Sequence, residues 1–96
     1  MIAVGSKVRS FDFAVPGKAW GRDLDGERAA YVEGTLVGYE EREGCLRAVI
    51  DVDRDVFGGK EKSGEYSRVG ETVYPPANGV GYGFTGEATD FIEELS

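Results

Sequence analysis

Three aspartates at alternate positions, Asp51, Asp53 and Asp55, are the residues whose type and spacing most suggest chemistry. Carboxylates at positions 1, 3 and 5 open a calcium-binding loop, in which hard oxygen donors surround a divalent cation. The match then fails: Val56 stands where that loop needs glycine, and Lys62 where it needs a bidentate glutamate. The flanking residues support a different reading. From 46 to 56, Leu46, Ala48, Ile50 and Val52 share one parity, and Arg47, Asp51, Asp53 and Asp55 the other. Side chains on a strand alternate between faces. The segment therefore reads as a half-buried strand showing three carboxylates to water, about 7 Å apart. That spacing is wide for chelating one ion. The expected role is a solvated, edge-protecting stripe that can form half of a binding surface.

Little else in the chain could do chemistry. There is no histidine, which excludes a Ser-His-Asp triad, a Cys-His pair and histidine-bearing zinc sites. The single Cys45 excludes a thiolate-rich metal centre, and it reads as a small, partly buried hydrophobe beside a turn. Gly81-Tyr-Gly-Phe-Thr-Gly86 spells a dinucleotide fingerprint, but no strand–helix–strand unit surrounds it. Carboxylates are plentiful, yet the pattern places none in a dry pocket where a general acid would need to be. No catalytic residue, cofactor or metal is expected. What remains is surface: the amphipathic aromatics Trp20, Tyr39, Phe57 and Tyr74, taken with Asp51, Asp53 and Asp55, form the candidate binding surface.

The elements that must position these residues are short and β-rich. Fifteen glycines punctuate the 96 residues, about twice the usual share. A first strand is expected over 7–14, ended by Val15-Pro16-Gly17. Residues 17–28 read as a loop in which Trp20 folds back on the core or lines a groove. A second strand spans 29–40, and its Gly34 and Gly38 mark bends or close backbone approach. After a tight acidic turn at 41–44, the strand 46–56 pairs back as a long hairpin. Residues 57–64 read as an exposed loop. Further strands are expected over 65–69, 70–74 and 80–84, with Pro75-Pro76 and Asn78-Gly79 as stops. The tail, 86–96, is expected to hold a helical turn that packs Phe91, Ile92 and Leu95 inward. The sum is one all-β domain over 1–96: a small barrel of about five antiparallel strands with a short C-terminal helical turn.

Charge narrows the partners. The net charge is −7, with seven basic and eight acidic residues in 1–48 but four basic and ten acidic in 49–96. Counterion-release binding needs clustered Lys and Arg, so nucleic acid is disfavoured as a partner, despite the basic stretch Lys7, Arg9, Lys18 and Arg22. Those cations and the acidic residues at 87–94 should attract the two ends of the chain to each other. No apolar run approaches the roughly 20 residues of a membrane helix, and no signal-peptide pattern opens the chain. With one cysteine, the expectation is a cytoplasmic protein with no membrane contact. A homo-oligomer is compatible with the sequence.

Gly5-Ser6-Lys7-Val8-Arg9, Glu33-Gly34-Thr35-Leu36-Val37-Gly38-Tyr39 and Val69-Gly70-Glu71-Thr72-Val73-Tyr74-Pro75-Pro76 together resemble an SH3-like barrel over about residues 4–79. Val8-Arg-Ser-Phe-Asp-Phe13, Tyr31-Val-Glu-Gly34 and Val73-Tyr-Pro-Pro-Ala-Asn-Gly79 are similar to a group of small uncharacterised proteins of phages and marine bacteria, which brings no activity with it. SH3-like barrels serve many functions, so that resemblance implies a fold first. The leading expectation is a non-enzymatic module that binds another protein. The alternatives are an acidic phage-type antagonist mimicking nucleic-acid phosphates, a small-ligand binder with a site at an oligomer interface, and a nucleic-acid module using the basic N-terminal strand.

Overall fold

The computed structural model describes residues 1–12, 24, 26–80 and 90–95. They form one curled antiparallel sheet, an all-β half-barrel. The strands are β1 (Lys7–Phe11), β2 (Ala30–Arg42), β3 (Cys45–Phe57), β4 (Lys60–Glu61), β5 (Thr72–Val73) and β6 (Ile92–Glu94). Their order is β4-β3-β2-β1-β6, with β5 also pairing β3 at Ile50 and Asp51, ahead of the β4 pairing at Val56 and Phe57.

The β2–β3 hairpin is the spine. It closes through Glu43 and Gly44, both with positive φ, as a two-residue turn that matches strand twist requires. Two irregularities interrupt its register. Glu33 pairs Arg54 but Gly34 pairs Val52, so Asp53 is an extra residue in β3; Leu36 pairs Ile50 but Gly38 pairs Val49, so Val37 is an extra residue in β2. Each bulge reverses the inward and outward sense of the residues beyond it. In β3, Ala48, Ile50 and Val52 are buried as the alternation predicts, and beyond the bulge Asp55 is buried with them. In β2, Val32 and Leu36 are buried, and after Val37 it is Tyr39 that packs on the core.

Gly34 makes the first bulge possible. A Cβ there would overlap the carbonyl oxygen of Asp51 and come within 2.8 Å of its carbon. The expectation of a close backbone approach holds at Gly34, whereas nothing lies within 4 Å of a Cβ placed on Gly38. The core gathers Val8, Leu36, Ala48 and Ile50 with Phe11, Tyr31, Val56, Phe91 and Ile92; Ile2, Tyr39 and Val73 pack against it.

Three expectations are corrected. Residues 92–94 are not a helical turn but strand β6, paired with β1 through Val8–Glu94, Arg9–Glu93 and Ser10–Ile92. The edge of β1 supplies the hydrogen bonds a short helix would have to make for itself, and the Phe91 carbonyl accepts from the Phe11 N–H. The strand expected at 65–69 is instead a 3₁₀ turn, Gly64–Tyr66, closed by the Ser67 N–H on the Gly64 carbonyl. The loop expected at 57–64 contains a hairpin: Gly58 and Gly59, with φ of 65° and 77°, turn the chain so that Lys60 pairs Phe57. The expected strand over 70–74 shortens to Thr72–Val73. Trp20, the 81–86 glycine motif and most of the expected strand over 80–84 lie outside the described residues.

Replacing Gly34 by alanine should lower stability by about 2–4 kcal/mol, because two strand backbones must separate to admit one methyl group. Gly38→Ala should change it by less than about 1 kcal/mol. Urea unfolding midpoints of the two variants measure the difference, and equal midpoints would refute the close-approach account.

Candidate functional site

The seven residues of the expected surface do not share one face. Asp51 and Tyr74 do. Asp51 lies opposite Thr72 in the β3–β5 pairing and accepts a hydrogen bond from its hydroxyl at 2.9 Å. Tyr74 continues the same strip, and the Arg42 guanidinium stacks over its ring, 3.7 Å from the centroid. Arg42 is in turn paired with Glu40, and Arg47 donates from Nη1 to the Tyr74 carbonyl at 3.2 Å. Val37, pushed out by its bulge, is 45% exposed. The outer face of β2, β3 and β5 thus carries a stacked tyrosine, an exposed valine and a set of mutually paired charges.

The other members go elsewhere. Asp53, the bulged residue, is exposed and paired with Lys7 of β1. Tyr39 turns inward and donates its hydroxyl to the Ile2 carbonyl at 2.8 Å; burial pushes its phenol up, more than that hydrogen bond lowers it. Phe57 is half exposed at the far end of β3 from Tyr74, with the Lys62 ammonium 5.1 Å from its ring centre.

Asp55 is the principal correction. It was expected to face water as the third carboxylate of the stripe, and it is 1% exposed. The bulge at Asp53 turned it inward, and a buried carboxylate must be paired. Arg68 pairs it from three donors: the backbone N–H at 3.0 Å and Nε at 3.1 Å to Oδ2, and Nη2 at 2.7 Å to Oδ1. Arg68 also holds Asp12, just past the end of β1, through two parallel bonds of 2.9 Å. Bidentate guanidinium–carboxylate geometry is the strongest ion-pair arrangement available to side chains. The cluster ties the 3₁₀-turn segment to β3 and to the exit of β1. Burial alone would raise the Asp55 carboxyl above its ordinary 3.8, but the Arg68 hydrogen bonds outweigh it and hold the group lower. The two carboxylates hold the Arg68 guanidinium above its ordinary value, Asp12 first. No spacing in the sequence announces this cluster, because Asp12 and Arg68 stand 56 residues apart.

A second network crosses the sheet. Glu93, Arg9, Glu33, Arg54 and Glu61 alternate in sign across β6, β1, β2, β3 and β4. Arg9 bonds Glu93 at 2.7 Å and Glu33 at 2.9 Å, and Arg54 bonds Glu61 at 2.6 Å and approaches Glu33 at 3.4 Å. Both arginines also lie over the Tyr31 ring, at 5.1 and 5.9 Å from its centre. The Arg9–Glu93 pair realises the expected attraction between the basic beginning and acidic end of the chain.

Among the described residues, no three Asp, Glu, Cys or His side chains stand close enough to hold a metal ion, and no helix is long and apolar enough to cross a membrane. No protein-family model matches the chain, and no curated protein or solved structure shows significant similarity to it.

Asp55→Asn should destabilise the fold by about 3 kcal/mol, since it leaves Arg68 facing a neutral amide in a buried setting. The folded-state pKa of Asp55 lies below its unfolded value. The stability it adds is therefore complete above the unfolded carboxylate pKa of about 4, and is lost as pH falls through the folded value. Urea titrations between pH 7 and pH 2 should show this acid limb in the wild type and a flatter profile in Asp55→Asn.

Proposed function

We propose that this chain is a non-enzymatic protein-interaction module of the SH3-like small-barrel kind, and that it meets its partner with the outer face of β2, β3 and β5. One observation carries the reading: the Tyr74 ring stacked under the Arg42 guanidinium on a strand surface beside the exposed Val37. Tyrosine and arginine are the side chains most enriched at binding hot spots, because each offers a large, rigid contact area with a polar edge. Here the stack holds both side chains in place before any partner arrives, which lowers the ordering cost of association. Asp51, oriented by Thr72, supplies a carboxylate at the same surface. An acidic antagonist that mimics nucleic-acid phosphates draws less support. Its stripe loses Asp55 to the interior and has Asp53 partnered by Lys7.

Immobilised wild-type chain and the double variant Arg42→Ala/Tyr74→Ala, presented to a lysate of the source cells, test this reading. At least one protein should be retained by the wild type. The double variant, with an unchanged unfolding midpoint, should bind it about thirtyfold more weakly, the loss that corresponds to about 2 kcal/mol at a hot spot. Equal recovery by both chains would overturn the proposal.

A further inference from the structure

On the side of the sheet facing away from the Tyr74–Arg42 stack, a half-open slot of about 230 Å³ lies between the end of β1 and the segment 73–76. Among the described residues its walls are apolar: Phe11, Val32, Val73, Phe91 and the two rings of Pro75 and Pro76. Polar groups enter at two points. One is the Arg68–Asp12 pair. The other is Ser10, which is 4% exposed and whose hydroxyl makes no hydrogen bond among the described residues. No described side-chain nitrogen or oxygen that is sealed from solvent lacks a partner. The Ser10 hydroxyl therefore opens onto the slot. A hydroxyl on a core-facing strand position, between Val8 and the end of the strand, is a poor choice for packing alone. At that position it gives the slot a hydrogen-bonding group that a bound molecule can engage in place of water.

The size and electrostatics of the slot restrict that partner. A cavity of about 150 Å³ lined by apolar side chains accepts a benzene ring, so 230 Å³ suits one ring with a small substituent. Arg68 offers no net attraction to an anion, because Asp12 and Asp55 already surround it and leave the cluster with a net charge of −1. An anionic head would be repelled, and a purely apolar ring would leave the Ser10 hydroxyl unsatisfied. We infer that the slot is a binding site for a small, uncharged, single-ring molecule bearing one hydroxyl, whose ring packs between Val32, Val73 and Phe91 and whose hydroxyl bonds the Ser10 Oγ. This site is separate from the outer face proposed for protein contact, and it stands or falls independently of that reading.

The test is a titration of ¹⁵N-labelled chain, followed by amide shifts, with p-cresol, toluene, 4-methylbenzoate and acetyl-tyrosine-amide. The expected result is saturable shifts at Ser10, Phe11, Val32, Val73 and Phe91. p-Cresol should bind about five- to tenfold more tightly than toluene, the worth of one neutral hydrogen bond, and 4-methylbenzoate should bind most weakly. Ser10→Ala should abolish the p-cresol advantage and leave toluene binding unchanged; if that variant fails to fold, Ser10→Val takes its place, and the wild-type ranking decides by itself. Absence of shifts at these residues, equal binding of p-cresol and toluene, or preference for the benzoate overturns the inference. Tighter binding of acetyl-tyrosine-amide than of p-cresol also overturns it, because the slot would then be reading a tyrosine side chain of a peptide.

Discussion

At Gly34 the backbones of β2 and β3 approach more closely than any side chain would allow, and the strand opposite accommodates this by carrying one residue too many. That residue is Asp53. A bulge costs a ladder position, but it also changes which side chains face the core for the remainder of the strand. Before it, β3 keeps a plain alternation with Ala48, Ile50 and Val52 inside. After it, Asp55 lies in the interior, with Val56 beside it also buried. The rest of the molecule adjusts to that one relocated carboxylate.

The adjustment is Arg68. Burying a carboxylate costs several kcal/mol unless it is paired and its oxygens are hydrogen-bonded. Arg68 supplies both, and its remaining donors reach Asp12. A segment with no strand of its own, from the 3₁₀ turn to β5, is thereby fixed against two strands distant in sequence. This sets the position of β5, and with it the placement of Val73 on the inner side and of Thr72 and Tyr74 on the outer side. The inner slot beside Ser10 and the outer stack on Arg42 are thus two surfaces of one arrangement.

Charge serves two purposes in this acidic chain. The ladder from Glu93 through Arg9, Glu33 and Arg54 to Glu61 binds strands to one another, and each arginine in it faces two carboxylates. Isolated surface pairs add little, but a network in which Glu33 and Arg9 are largely buried adds more than exposed pairs do. Much of the negative charge is therefore engaged within the sheet. The exposed carboxylates of β3, Asp51 and Asp53, are themselves oriented by Thr72 and Lys7.

The all-β class, the long hairpin between 30 and 57, its tight turn and the special role of Gly34 were legible in the sequence. They depend on local rules: a period of two, turn residues with positive φ, and glycine where backbones crowd. The sequence pattern leaves residues 92–94 ambiguous because a short amphipathic tail suits a helical turn as well as an edge strand, and only the open side of β1 decides between them. The sequence pattern misplaces Asp55 for a deeper reason. Its parity in the sequence is that of Asp51 and Asp53, and parity holds only while the register is unbroken. The sequence by itself determined which residues could alternate across a strand. Only the tertiary structure decided which carboxylate went inside, because the bulge arises from contact between two strands and its counterion lies 13 residues further along the chain.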